Sequence, residues 1–342
     1  MTSHGLRLVS GVIVVVATAA LPMPVAGQAP TTATNSLASS LRTTWGDPDI
    51  QGTWTSDNSI NVPLERPAQF GERRFLTEEE YADRVQENDK WIADANAERP
   101  VVPFAKDPAA NNAPRHWLER GQTPSRQTSL VVDPPDGRIP MMTQQGQQRL
   151  AARQALRRSR GPADSYEDRS NYDRCITRGV AGSILPVIYG NGTDIRQVPG
   201  YVVIRNEMIH EARVIPLDGR PHAGADIRLY MGDSRGRFEG DTLVIETRNF
   251  TDRTAIGPNG NGAIHSETLR LVERFTRVDD DTLHYEFTVD DPVVYTLPWT
   301  VALDLTTTPN YEIYEYACHE GNYGLANILS AARAEEKAAQ RP

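Results

Sequence analysis

"SETLRLVERFTRVDDDTLHYEFTVDDP", residues 266–292, is the stretch on which the fold turns. Apolar side chains recur at alternate positions on both sides of an acidic run: Leu269, Leu271 and Phe275 before it, Leu283, Tyr285, Phe287 and Val289 after it. A period of two belongs to half-buried strands, because successive side chains point to opposite faces. The Asp279–Asp281 run is a short turn signal, so the stretch predicts an antiparallel hairpin. On this phase Leu269, Leu271, Glu273, Phe275 and Arg277 face inward, Arg270, Val272, Arg274 and Thr276 face outward, and His284 and Glu286 face solvent. His284 is thereby set aside, and Glu273 and Arg277 become the polar exceptions on an apolar face. A carboxylate in such a setting costs several kcal/mol unless paired or protonated. Glu273 therefore needs a donor: Arg277, His210 or another. Two readings are open: a structural ion pair tying adjacent strands, or a polar cluster at the floor or mouth of a pocket.

The same rhythm runs outward. "GYVVIRNEMIHEARVIPLDGR" (200–220) reads as one long strand or two, ended by an Asp218-Gly219 turn, and "GRFEGDTLVIETRNF" (236–250) as a hairpin folded at Gly240-Asp241. "SLVVDPPDGRIPMMT" (129–143) reads as a strand, a turn and a short strand, "YEIYEYAC" (311–318) as one more strand, and "DIQGTW" (49–54) as a short opening strand. Thr77 and Glu80 stand in capping-box spacing before a helix carrying Tyr81, Val85, Asn88 and Ile92 on one face. Two further helices are predicted, at 144–158 and 324–339. Residues 101–127, rich in Pro, Asn and Asp, should wander over the surface. Many strands joined by tight turns with few helices between them give a mainly β class: an antiparallel curled sheet or a lipocalin-like β-barrel with a few peripheral helices. No fixed-period repeat points to a propeller or solenoid.

The chain opens with Arg7 and the apolar run "LVSGVIVVVATAAL", followed by Pro22 and Pro24, the pattern of a secretory signal peptide over residues 1–27. That run is shorter than the roughly 20 apolar residues of a membrane span. No membrane anchor is expected once it is cleaved, and the location is the periplasm or the exterior. Residues 28–44, Ser, Thr and Ala rich, read as a disordered leader, with order beginning at Trp45. A single β-rich domain with helical decorations then covers 45–342. The net charge of −9 becomes one unit more negative without Arg7, and there is no basic cluster, which argues against nucleic acid as a partner. In an oxidising compartment the two cysteines, Cys175 and Cys318, are expected to pair.

The densest polar stretch, "IHEARVIPLDGRPH" (209–222), asks for a chemical reading. As one strand it puts Met208, His210, Ala212 and Val214 on the more apolar face, and Ile209, Glu211, Arg213 and Ile215 on the other. His210 is then the polar exception, and His210 with Glu273 forms the candidate acid and base, one moving a proton and the other orienting it. Arg277, Arg213, His222, His319 and Glu315 are the candidate ligand-binding side chains. For a metal, His210, His222, His265, His319, Glu211, Glu315 and Glu320 are available, but no spacing converges three or four ligands, and no metal is expected. "GDSRG" (232–236) lacks the strand and helix of a nucleophile elbow, so Ser234 reads as a turn residue. "GPNGNG" (257–262) has no Lys and no following helix, and reads as a loop.

Taken in order, "RCITRGVAGSILP", "PGYVVIRNEMIHEARVIPLDGRPH", "MGDSRGRFEGDTLVIET", "ERFTRVDDDTLHYEFTVDDP" and "YEYACHEGNYG" resemble a family of uncharacterised secreted bacterial proteins, over about Trp45 to Lys337. Phe238 stands where that family's GRWEGDTLVV block has Trp. The resemblance transfers no reaction and no catalytic residue. "GTW" at Gly52–Trp54 is similar to the opening strand of lipocalin-like calycin barrels, which implies a barrel that holds a ligand. The functional expectation is a protein binding a small, partly apolar molecule. The alternative is a metal-free lyase, isomerase or hydrolase built on the same barrel. No cofactor is indicated.

Overall fold

A computed structural model describes residues 41–97, 118–308 and 311–340. The signal peptide and leader readings over residues 1–40, and most of the surface stretch 101–127, lie outside these. The chain is mainly β. A four-stranded antiparallel sheet has the order β1-β3-β4-β5, with β1 Gly52–Trp54, β3 Thr193–Val198, β4 Tyr201–Asn206 and β5 Ala212–Pro216. A six-stranded sheet has the order β2-β12-β11-β10-β7-β6, with β2 Val131–Asp133, β6 Asp233–Glu239, β7 Thr242–Arg248, β10 Arg270–Arg277, β11 Thr282–Asp290 and β12 Trp299–Thr306. A small hairpin, β8 Ala255–Ile256 with β9 Ala263–Ile264, stands apart. The helices are α1 Glu78–Asn96, α2 Gln144–Arg158 and α3 Tyr323–Ala339.

The 266–292 hairpin forms as its pattern predicts. β10 pairs with β11 in a register that sets Phe275 opposite Tyr285 and Glu273 opposite Phe287. Leu269, Leu271, Glu273, Phe275, Leu283, Tyr285, Phe287 and Val289 are all buried. Phe275, Tyr285, Phe287 and Trp299 follow one another along the inner face, with ring centroids 4.6, 5.9 and 6.3 Å apart. Each such side chain contributes about 1.5–3 kcal/mol by leaving water. One continuous apolar core joins these residues to Trp54, Ile195, Val202, Ile204 and Ile215 of the smaller sheet, so the two inner faces share it.

The sheets meet at both flanks. Thr55 and Thr306 exchange backbone bonds of 2.8 and 2.9 Å, linking the end of β1 to the end of β12. On the other side Gly236 of β6 lies so close to β5 that a Cβ there would stand 2.9 Å from Ile215 Cγ2 and 2.7 Å from Leu217 Cδ2. β5 and β6 are not hydrogen-bonded neighbours, so the ladders do not close into a ring.

Helix α1 carries the expected capping box: Thr77 accepts from the Glu80 amide, and Glu80 accepts from the Thr77 amide at 2.8 Å. α2 has the predicted bounds, and α3 begins one residue early. Asp49 donates to the Leu41 carbonyl and Arg42 bridges Pro48. Two expectations are corrected. Residues 311–318 join no ladder; β12 is a strand in their place, with Trp299, Val301, Leu303 and Leu305 buried on its inner face and Thr300, Asp304 and Thr306 less buried on the other. Ser234 lies within β6 and shares a 2.9 Å bond with Thr247, so it is a strand residue.

Candidate functional site

The stretch 209–222 is two elements, and this inverts the expected face. β4 ends at Asn206, and a 3-10 turn at Met208–His210 follows, with Ile209 and His210 at φ 65° and 46°. This left-handed turn restarts the alternation, so in β5 Arg213 and Ile215 point inward while Val214 is 62 % exposed. His210 is an exposed turn residue whose Nδ1 meets the Tyr316 carbonyl at 2.9 Å. A carbonyl only accepts, so this nitrogen carries the proton.

Glu273 finds its donor in Arg213. Nη1 and Nη2 reach its two oxygens at 2.7 and 2.9 Å, and the Tyr285 hydroxyl adds a third bond at 3.0 Å. Burial pushes the Tyr285 phenol well up, which keeps it a donor. Arg213 comes from β5 and Glu273 from β10, so the pair crosses the core between the two sheets rather than tying adjacent strands. His210 and Glu273, expected as a proton-transfer pair, have separate partners.

The other candidates divide. Arg277 donates to the carbonyls of Asp49, Asp279 and Asp280 and lies 5.4 Å over the Trp54 ring, covering one end of the core. His222 lies by Asp233 and Glu246 at 3.3 and 3.6 Å, within the ion pairs that Arg235, Arg248 and Arg270 form along the outer face of the larger sheet. His265 is buried between the Thr254 hydroxyl and the Ser266 carbonyl. Among the described residues no group of three or more His, Cys, Asp or Glu side chains is placed to hold a metal.

Cys175 and Cys318 form a disulfide, which fastens the segment leading into α3 against the loop before β3. A cleft of about 480 Å³ opens beside it, walled by Tyr172, Tyr316, Leu325 and Ile328 and edged by Glu315 and Asn322. Asn322 caps α3 and also donates to the Asp173 carbonyl at 2.8 Å. His210, through Tyr316, braces the same wall. The exposed Glu315 lies on the rim, and the exposed His319 follows Cys318 directly.

Behind this wall lies a polar cluster not read from the sequence. Asn191 donates to Asp57 at 2.8 Å and to Glu119 at 3.1 Å; Glu119 also accepts from the Gly190 and Asn191 amides at 2.9 and 3.2 Å. Glu207 accepts from the Tyr311 hydroxyl and from the Gly192 amide. Burial, reinforced by the like charge of Asp57, pushes the Glu119 carboxyl up to about 7, and burial also raises Asp57 and Glu207. Arg178 stands between cluster and cleft, its guanidinium 6.0 Å from the Tyr172 ring. Burial lowers its pKa to about 10. Gly190 at φ 72° lets the loop turn beside it, where a Cβ would stand 2.6 Å from Met208 Cε. The one sequence signal for this cluster is an arginine inside the small and apolar run "TRGVAGSILP".

No family model, curated protein or solved structure matches the chain.

Proposed function

We propose that this is a secreted or periplasmic protein that binds a small, partly apolar molecule in the cleft beside the Cys175–Cys318 bond. The observation that carries the reading is the make-up of that cleft. Tyrosine and aliphatic walls stand next to a few fixed polar groups, the usual character of a small-molecule site. The disulfide suits an oxidising compartment, and among the described residues no helix is long and apolar enough to cross a membrane. We read the two sheets as a lipocalin-like barrel left open at one seam. The Thr55–Thr306 bridge and the approach of Gly236 to β5 support that reading. The resemblance to secreted bacterial proteins agrees with it.

Native mass spectrometry of residues 28–342, purified from the periplasm, tests the binding reading. An organic adduct that Ile328→Trp removes, by filling the cleft, is the expected result. An adduct that survives this substitution, or a bare mass after exposure to a broad metabolite extract, overturns it.

A second reading, a metal-free lyase, isomerase or hydrolase, draws on Glu119. A carboxyl titrating near 7 is suited to general acid and base work. It predicts a turnover with a pH dependence near 7 that Glu119→Gln abolishes.

A further inference from the structure

Arg178 is 1 % exposed, yet only one of its guanidinium nitrogens is used. Nη1 donates to the Gly190 carbonyl at 3.0 Å, while Nε and Nη2 have no hydrogen-bond partner among the described residues. These two nitrogens form one edge of the planar group, and their N–H bonds are spaced to grip both oxygens of a carboxylate. A buried charged donor left unpaired is costly, and such exceptions call for an explanation.

The tyrosines beside it carry a second surplus. The Tyr172 and Tyr189 hydroxyls are 3.3 Å apart, and the Tyr316 phenol lies near enough to Tyr189 to interact with it electrostatically. The Tyr172 and Tyr189 hydroxyls bring two protons to one mutual bond, so one proton of the pair is left to donate outward. Tyr172 and Tyr316 wall the cleft, and Arg178 lies directly behind Tyr172. Arg178 and the tyrosine pair thus lie together behind the cleft wall, with Glu119 near enough to act on the guanidinium.

We propose that the Nε–Nη2 edge of Arg178, with the spare tyrosine proton, is the anion-binding pole of the cleft, and that the ligand is a small monocarboxylate with an apolar body. The proposal rests on the small-molecule reading of the cleft. Leu325 and Ile328 receive the apolar part. Glu119 and Glu207, near enough to Arg178 to interact with it electrostatically, favour a single negative charge over a phosphate dianion. Because Nε and Nη2 are sealed from solvent, the ligand reaches them as Tyr172 swings aside.

Isothermal titration calorimetry with benzoate and hexanoate, each against the alcohol of the same skeleton, and with inorganic phosphate, tests the proposal. Each carboxylate is expected to bind at least about tenfold more tightly than its alcohol, the scale of a charge-assisted pair. Arg178→Gln should erase that difference and leave alcohol binding in place. Tyr172→Phe, a milder change should Arg178→Gln fail to fold, should weaken the carboxylates severalfold and spare the alcohols. Equal binding of carboxylate and alcohol overturns the pole but leaves the cleft reading standing. Phosphate binding as tightly as benzoate overturns the ligand class. No binding of any probe overturns the cleft reading, and the pole with it.

Discussion

Glu273→Ala should be among the most damaging single substitutions in this protein. The Glu273 carboxylate is 0 % exposed and accepts two bonds from Arg213 and one from Tyr285. Its removal leaves a buried guanidinium, whose Nε already lacks a partner, without the carboxylate that is hydrogen-bonded to it, Glu211 acting on it only through space. Breaking a buried pair from one side costs about 3–5 kcal/mol, and stranding the Tyr285 hydroxyl adds about 1–3 kcal/mol. A loss on the order of 5 kcal/mol is a large part of the roughly 5–15 kcal/mol by which domains are stable. Urea unfolding followed by tryptophan fluorescence, which reports on the buried Trp54 and Trp299, and by far-ultraviolet circular dichroism measures it. The control is Arg213→Met with Glu273→Leu, which removes both charges and refills the space. It should recover most of the roughly 3–5 kcal/mol, because a buried pair offsets little more than its own desolvation, and keep the Tyr285 cost that both variants share. A Glu273→Ala cost below about 1 kcal/mol, or a double variant as damaged as the single one, would refute the reasoning.

Stability should peak at mildly acidic pH. The Glu119 carboxyl is raised by burial to about 7, so between about 4.5 and 7 the folded state holds a proton that the unfolded chain releases, and stability falls as pH rises through that window; Asp57, Glu207 and Glu211, also raised by burial, act in the same direction. Glu80, Asp168 and Asp218, held near about 2 by Arg73, Arg160 and Arg220, act oppositely and lose their contribution as pH falls below about 4. Glu119→Gln should flatten the decline above pH 5 in denaturant titrations, and an unchanged slope would count against the buried-cluster account. Cys175→Ser with Cys318→Ser opens a loop of 143 residues, worth roughly 4–5 kcal/mol in the chain-entropy model. It should also expose 311–340 to proteases first, and cleavage elsewhere would contradict the fastening role of the bond. Gly236→Val should cost about 1–3 kcal/mol by wedging β6 from β5; a neutral effect in thermal melts would mean that the seam is looser than described.

The alternation in 269–289 was sufficient to place eight inward side chains, because a period of two survives wherever one sheet face is buried and the other is wet. The capping-box helix and the 144–158 helix were legible for a similar reason, their signals being local. The phase of β5 was not legible. Two positive φ angles at Ile209 and His210 reset it, and hydropathy carries no record of a backbone turn. Alternation also told that Glu273 faces inward and needs a donor, but not that the donor is Arg213 on another sheet, since a strand pattern names a face and never the strand opposite. The polar cluster lay further out of reach: Asp57, Glu119, Arg178, Asn191 and Glu207 come from four separate segments, Arg178 and Asn191 sharing the loop before β3. Their raised or lowered pKa values arise from burial and from one another. Local sequence decides which residues turn inward along each strand; only the packing of distant segments decides which inward charges meet, because desolvation and pairing act through space and not along the chain.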